Sequence, residues 1–358
     1  MGSDLKEILG LTSQELCGFL DELGEPRFHG RQIYRSIYAR RNSGFEEITE
    51  LPKSLRTKLS GLARVGFPAL RTVQQSKDGT EKYLLEFSDK RQIEAVWIPE
   101  ERRTTLCIST QVGCAMDCQF CLTALMGFGR NLIAGEIIGQ ILFILRDHER
   151  RDKRISSPQG PINIVLMGMG EPLHNLKEVV RALVLMTDTD GLSLPRHRIT
   201  LSTVGLVPKI LELAKAPVVP NLAVSLSATT DEVRNRLVPI NQKYPIGDLL
   251  EACARFPLGP KQYLTFEYVL IDKVNDSDQD ARRLVKLLAR LRAKVNLLPL
   301  NPGNAHDLKP SKPERVVRFQ EILVSKSIPA FVRRPRGIDI SAACGQLHHL
   351  QKDFEVAS

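Results

Sequence analysis

The sequence predicts an α/β fold: a partial, open β/α barrel of six units preceded by a small N-terminal helical domain. Strand and helix patterns alternate from about residue 100 onward, and glycine-rich or polar turns follow the strands at their carboxyl ends. Such alternation implies a parallel sheet with right-handed crossovers, and fewer than eight units leave the barrel open.

The first 65 residues are expected to form the helical domain. Thr12-x-x-Glu15 is a capping box, and Leu16, Phe19, Leu20 and Leu23 follow at the spacing of one helix face. Cys17 lies off that stripe and reads as incidental. A second helix pairs Ile33 with Ile37 and Tyr34 with Tyr38. Pro52 suits the first position of a third helix carrying Leu55, Leu59 and Leu62. Residues 66–99 read as a β-rich linker with strands at Tyr83–Phe87 and Ile93–Ile98. The core, 100–337, holds the six barrel strands, at Thr104–Ser109, Asn163–Met167, Arg198–Ser202, Asn221–Leu226, Leu264–Ile271 and Val295–Leu298. Ile137, Ile138, Ile141, Leu142 and Leu145 mark one of the helices between them. Residues 338–358 form a C-terminal segment.

Fifty Lys and Arg against 41 Asp and Glu give a net charge of +9, which favours an anionic partner such as nucleic acid. Arg27, Arg31, Arg35, Arg40, Arg41, Lys53, Arg56, Lys58 and Arg64 cluster in the N-terminal domain, opposed by few acids. This pattern suits an RNA backbone or a solvated face equally. No apolar run approaches the ~20 residues of a membrane helix, and the start Met1-Gly-Ser-Asp lacks a secretory leader, so a cytoplasmic protein is expected.

Cys114, Cys118 and Cys121 carry the chemistry. A structural zinc site would need a fourth ligand, usually in a second paired element, and none is present. A disulfide framework suits neither the seven cysteines nor the missing leader. Three thiolates in eight residues can instead hold a 4Fe-4S cluster with one iron left open.

The Cys-x3-Cys-x2-Cys spacing resembles the cluster motif of the radical S-adenosylmethionine (SAM) superfamily, which implies the corresponding barrel type and SAM bound at the open iron. Gly168-Met-Gly170-Glu171-Pro172, after the second strand, resembles the superfamily motif that holds the SAM amino group. A carboxylate there can accept hydrogen bonds from an ammonium, and glycines let backbone approach a ligand. Cys253, in a helical stretch, reads as a small core residue.

Ala-Ala-Cys344-Gly-Gln-Leu347 closely resembles the C-terminal signature of the RlmN/Cfr family of radical SAM RNA adenine methyltransferases. Ordered matches at Ile93–Pro99, Gln111–Cys114, Gly127–Leu132, Val165–Leu173 and Asn296–Pro302 extend the likeness along nearly the whole chain.

Adenine C2 is an electron-poor carbon that cannot attack the SAM methyl group directly. The resemblance implies that Cys344 first takes a methyl group from one SAM. A second SAM, reduced at the cluster, yields a 5′-deoxyadenosyl radical that removes hydrogen from this S-methyl group. The carbon radical then adds to adenine. Glu94 is implied as proton acceptor, and Cys107 as the thiol that releases product through a transient disulfide with Cys344. Implied SAM contacts are Gly170, Glu171, Ser202, Ser225, Leu226, Ser227 and Asn301. Ser227 stands where many relatives have His, Leu300 where an aromatic is expected and Ile338 where an acid is.

The resemblance further implies one 4Fe-4S cluster per chain, two SAM per turnover, 23S rRNA and tRNA as substrates, a flavodoxin- or ferredoxin-type electron donor, and a monomer. Arg333-Arg334 and the basic N-terminal domain resemble the C2 enzymes. C8 methylation of the Cfr type would use the same cysteines. The rival from another class is a zinc-stabilised RNA-binding module without catalysis.

Overall fold

The computed structural model describes residues 5–151, 160–301 and 308–348. The first four residues, on which the leader reading rests, Pro302 of the Asn296–Pro302 motif, and the C-terminal segment beyond 348 lie outside them.

The N-terminal module holds helices α1 (Ser13–Glu22), α2 (Phe28–Tyr38) and α3 (Lys53–Ser60). It also holds a two-stranded parallel sheet of β1 (Lys6–Glu7) and β2 (Ala63–Arg64), too short to leave a periodic trace in the sequence. Both halves of the capping box form at α1. Pro52 is the N-cap of α3 rather than its first residue, and Leu62 falls beyond the helix end, 44% exposed. Cys17 is buried, because α2 approaches α1 most closely there: a Cβ on Gly30 would stand 2.5 Å from the Cys17 nitrogen.

Residues 66–99, read above as a linker, extend the core sheet instead. Strands β3 (Ala69–Gln75), β4 (Glu81–Glu86) and β5 (Gln92–Glu100) run antiparallel, and β5 pairs with β6 (Arg103–Cys107). A hairpin of β7 (Gln111–Gly113) and β8 (Phe128–Asn131) then encloses α4 (Leu122–Leu125).

From there the chain alternates: α5 (Ala134–Arg151), β9 (Ile162–Leu166), α6 (Leu176–Thr187), β10 (Ile199–Thr203), α7 (Val207–Leu213) and β11 (Asn221–Ser225). After α8 (Asp231–Leu237) and α9 (Ile246–Ala254) come β12 (Leu264–Leu270), α10 (Asp278–Leu288), β13 (Ala293–Pro299), α11 (Pro313–Ser325) and β14 (Ala330–Val332).

All six expected barrel strands, β6 and β9–β13, lie side by side in chain order and parallel. A seventh parallel strand, β14, follows them; at three residues it gives no usable pattern. The ten-stranded sheet is open, ending at β14 and β3. Central strands are buried on both faces, as in β11 and β12, which fits helix-covered parallel sheets. Among the described residues no helix is long and apolar enough to cross a membrane.

The N-terminal module docks on the helix layer through close backbone contact. A Cβ on Gly135, in the first turn of α5, would stand 2.2 Å from the Leu9 carbonyl oxygen. Arg146 of α5 adds hydrogen bonds to Glu47 and to the Arg41 carbonyl, and Arg181 of α6 donates to Gly10 O at 2.9 Å. Gly135→Ala is expected to cost about 1–3 kcal/mol by overpacking this contact, read as a lowered urea midpoint with unchanged secondary structure.

Candidate functional site

The turn after β6 sets the site. Ser109 N donates to the buried Gln140 side chain of α5 (2.8 Å), whose amide donates back to Ser109 O (2.9 Å). Ser109 Oγ donates to Glu94 O (2.6 Å) and accepts from Met169 N (2.8 Å), joining β5 to the loop after β9. Gln111 accepts from Glu171 N at 2.8 Å. Gly168 and Gly170 are required by this packing: added Cβ atoms would stand 2.7 Å from Ile108 backbone and 2.5 Å from the Gln111 side chain. Their missing side chains therefore admit neighbouring protein, although both residues also line the cavity beyond.

The β7–β8 hairpin projects the cysteine loop. Gly113 adopts φ +72°, and a Cβ there would strike the Gly127 carbonyl oxygen at 1.9 Å. Cys114 N donates to that same oxygen at 2.8 Å. Cys114, Cys118 and Cys121 line a cavity of about 1020 Å³, counting space open to solvent, at the carboxyl ends of the parallel strands. Gly170, Glu171, Ser202, Glu267, Asn301 and Cys344 line it too.

Burial pushes all three thiols up, Cys114 to about 12. Among the described residues no three His, Cys, Asp or Glu side chains converge as ligands of one ion must; thiolates of a four-iron cluster bind separate irons. Glu171 is buried, and burial raises its carboxyl to about 7 even though Leu173 N and Val204 N both donate to it at 2.9 Å. A carboxylate has about four acceptor sites, and with the Thr203 side chain also bonded to it one remains for an ammonium. Three thiols around one cavity, with that carboxylate beside them, fit a cluster with an open iron and an amino-acid ligand.

The C-terminal segment closes the site. Leu122 N donates to Gly345 O (2.8 Å), Thr123 Oγ1 to Leu347 O (2.6 Å) and Asn301 Nδ2 to Cys344 O (2.9 Å). On its other side, His348 N donates to Glu94 Oε2 at 3.0 Å. Cys344 is exposed at the cavity, where the walls around its thiol, then the Glu267 carboxylate, push it up to about 11. Cys107, buried at the end of β6, is pushed up by burial and then by the neighbouring Cys344 thiol. Both thiols are free.

Glu94 is buried on β5 with Lys82 Nζ 3.0 Å from Oε1, and Lys82 also donates to Ser341 O at 3.3 Å. Burial raises the Glu94 carboxyl, and Lys82 opposes it. Lys82 was invisible to motif reading; only its position on β4, two residues from Leu84, the register partner of Glu94, and so on the same face of the sheet, would have suggested it. Glu267, which accepts from Asn296 Nδ2 at 2.8 Å, was likewise missed.

Cys107 and Glu94 lie outside the cavity lining, and so do Ser225, Leu226 and Ser227. Leu226 is fully buried. Ser227 has φ +52°, its hydroxyl accepts from Val269 N (3.4 Å) and its carbonyl from Asn275 (2.7 Å), so the side chain is occupied within the protein.

The N-terminal basic cluster is better opposed than its sequence suggests. Arg27, Arg35, Arg40, Arg41, Arg56, Lys58 and Arg64 each carry a carboxylate partner. Asp190 and Glu149 come from the barrel domain, more than a hundred residues away.

Comparison with known proteins shows two matching family models: the ribosomal RNA large subunit methyltransferase N-terminal domain over residues 6–65 and the radical SAM superfamily over 108–285. The chain is 49% identical to a dual-specificity RNA methyltransferase RlmN of Syntrophotalea carbinolica, covering 95% of this chain and 89% of that one. It is 46% identical to one of Geobacter sulfurreducens, covering 95% and 91%. A crystal structure of a radical SAM methyltransferase from Sphaerobacter thermophilus superposes with a TM-score of 0.90 at 43% identity, covering 96% of this chain and 99% of that one.

The raised Glu171 carboxyl has a pH consequence. The unfolded chain releases this proton near 4.5, whereas the folded chain holds it to about 7. Between those values the folded state binds more protons, so stability falls as pH rises. The loss is of the order of 2–3 kcal/mol in protein without SAM. Glu171→Gln is expected to remove this slope, measured as urea midpoints from pH 4.5 to 8.

Proposed function

The chain belongs to the RlmN family of radical SAM RNA methyltransferases, and from that premise we propose that it methylates C2 of a specific adenosine in 23S rRNA and of the adenosine next to the anticodon in tRNAs. The cysteine chemistry in this reading is supported by Cys344 lining one cavity with Cys114, Cys118 and Cys121; the choice of C2 and of both RNAs rests on membership of the family. Membership of an enzyme family sets aside the zinc-stabilised module without catalysis.

Cys114, Cys118 and Cys121 would hold one 4Fe-4S cluster, and Glu171 the amino group of SAM, with Gly170, Ser202 and Asn301 along the same walls. Cluster and SAM, when bound, supply hydrogen-atom abstraction from a methyl group. Cys344 is the residue that carries this methyl group, received by displacement from a first SAM. Asn301 and the cluster loop fix the backbone of Cys344 from both sides, which orients its sulfur.

Glu94 accepts the proton lost from the adenine ring. Burial strengthens it as a base while Lys82 keeps it ionised. Once the adduct has given up its unpaired electron, Cys107 thiolate attacks the Cys344 sulfur; the bond from that sulfur to the methylene carbon breaks, the carbon takes a proton from solvent to become the methyl group, and a disulfide is left for cellular thiols to reduce. The target base must be splayed from its loop to enter, and the N-terminal module would contact the RNA backbone. Ser225, Leu226 and Ser227 would contact SAM through backbone. A flavodoxin- or ferredoxin-type donor would serve a cytoplasmic monomer.

RNA from cells lacking the gene should lose 2-methyladenosine from 23S rRNA and tRNA by mass analysis; its persistence in both overturns the assignment. Chromatographic separation from 8-methyladenosine decides between C2 and C8. Cys107→Ala should accumulate RNA covalently joined to Cys344, and an intact cluster without adduct counts against both cysteine roles. Glu94→Gln should slow turnover about 10²–10⁴-fold while Cys344 is still methylated, seen by mass spectrometry of the protein.

A further inference from the structure

Arg234, on α8, is the largest side chain without solvent exposure among the described residues. Its guanidinium meets only neutral acceptors: Leu226 O and Ser225 O at 3.0 Å, Val204 O at 2.7 Å and Asn241 Oδ1 at 2.8 Å. Among the described residues no carboxylate forms an ion pair with it. These oxygens take up four of its five N–H groups. Asp231 of the same helix acts on it only from behind Asn241, whose Nδ2 donates to Asp231 Oδ1 at 2.9 Å, so the charge is cancelled in part and not by contact. A buried charge without a contacting partner is costly, and such charges are normally found paired.

The missing anion has an obvious place. Val204, which Arg234 holds, lines the cavity together with Cys118. Cys118 packs against Leu237 and Val238 at the end of the same helix, and the next residue, Gln119, donates its N–H to Leu237 O at 3.0 Å. Arg234 carries a guanidinium, which stays protonated at neutral pH. Three thiolates on a dicationic cluster core leave a net negative charge, which grows by one on reduction.

We infer that Arg234 is the buried counter-charge of the cluster site, stabilising the reduced cluster and so raising its reduction potential. Net charge near a cluster is one of the levers that set its potential. Arg234 acts through the cluster and not on substrate, as a positioning residue. Gathering the carbonyls at the ends of β10 and β11 is its second consequence, and stability alone would report only that.

The inference rests on the cluster reading above, and one experiment separates the two. The full-length chain is reconstituted anaerobically with iron and sulfide, then titrated with dithionite and mediator dyes while EPR follows the reduced cluster. Arg234→Gln is expected to disfavour reduction about tenfold, a fall of about 59 mV for one electron. Arg234→Lys, which keeps the charge and loses the fork, should hold the wild-type midpoint even if it melts earlier. Should Arg234→Gln fail to fold, Arg234→Met removes the charge while an unbranched side chain fills the same space, and the midpoint should again fall. A cluster whose midpoint is unmoved in the folded Gln or Met variant overturns the inference. So does an Arg234→Lys midpoint as low as that of Arg234→Gln. A chain that takes up no iron overturns the cluster reading itself.

Discussion

The site depends on one constraint: the chain must leave the sheet after β6 inside the protein, where its backbone groups have no water to bond. Each unmade buried bond would cost about 1–3 kcal/mol. Gln140 satisfies both backbone groups of Ser109, and Met169 O accepts from Thr110 N and Gln111 N at 2.9 and 3.2 Å. Asn175 Nδ2 closes the set on Thr110 O and Leu132 O. The turn is thereby tied to α5, to the loop after β9 and to the start of α6, and it fixes where the cysteine hairpin points.

Because that turn also binds Glu171 N through Gln111, the two halves of the cavity are set by one hydrogen-bonded unit. The cysteine loop and the carboxylate loop need no separate means of alignment. The glycines of the second loop belong to the same economy of space: Gly168 lets backbone settle on the Ile108 backbone and Gly170 on the Gln111 side chain, which brings Glu171 to the rim of the cavity.

The C-terminal segment is held by different means. Its carbonyls and amides are taken up by Thr123, Leu122, Asn301, Lys82 and Glu94, side chains and backbone from four separate stretches of the chain. Asp339 receives Ser76 Oγ at 2.6 Å, and Gly337 N donates to Asp78, which fixes the entry to the segment against the β3–β4 turn. Cys344 is thus positioned by its neighbours, with no regular secondary structure of its own beyond a short 3-10 turn at Ile338–Ile340.

Local periodicity and spacing carry what can be read directly from the amino-acid order. The capping box at Thr12, the six barrel strands and the cysteine trio were all legible because the atoms that make them lie within a few residues of one another. Cys107 and Cys344 were legible as a pair only through family likeness, since 237 residues separate them and no periodicity spans that distance. Tertiary structure alone decided that Lys82 pairs with Glu94, that Arg35 and Arg41 meet Asp190 and Glu149, and that Ser227 turns its hydroxyl toward β12. It alone made Arg234 a buried cation, a residue that in sequence reads as one more solvated charge on a short helix. The physical reason is the same in each case: a charge or a hydroxyl takes its meaning from burial and partners, and both are set by contacts between segments that the chain brings together only when the sheet closes over its core.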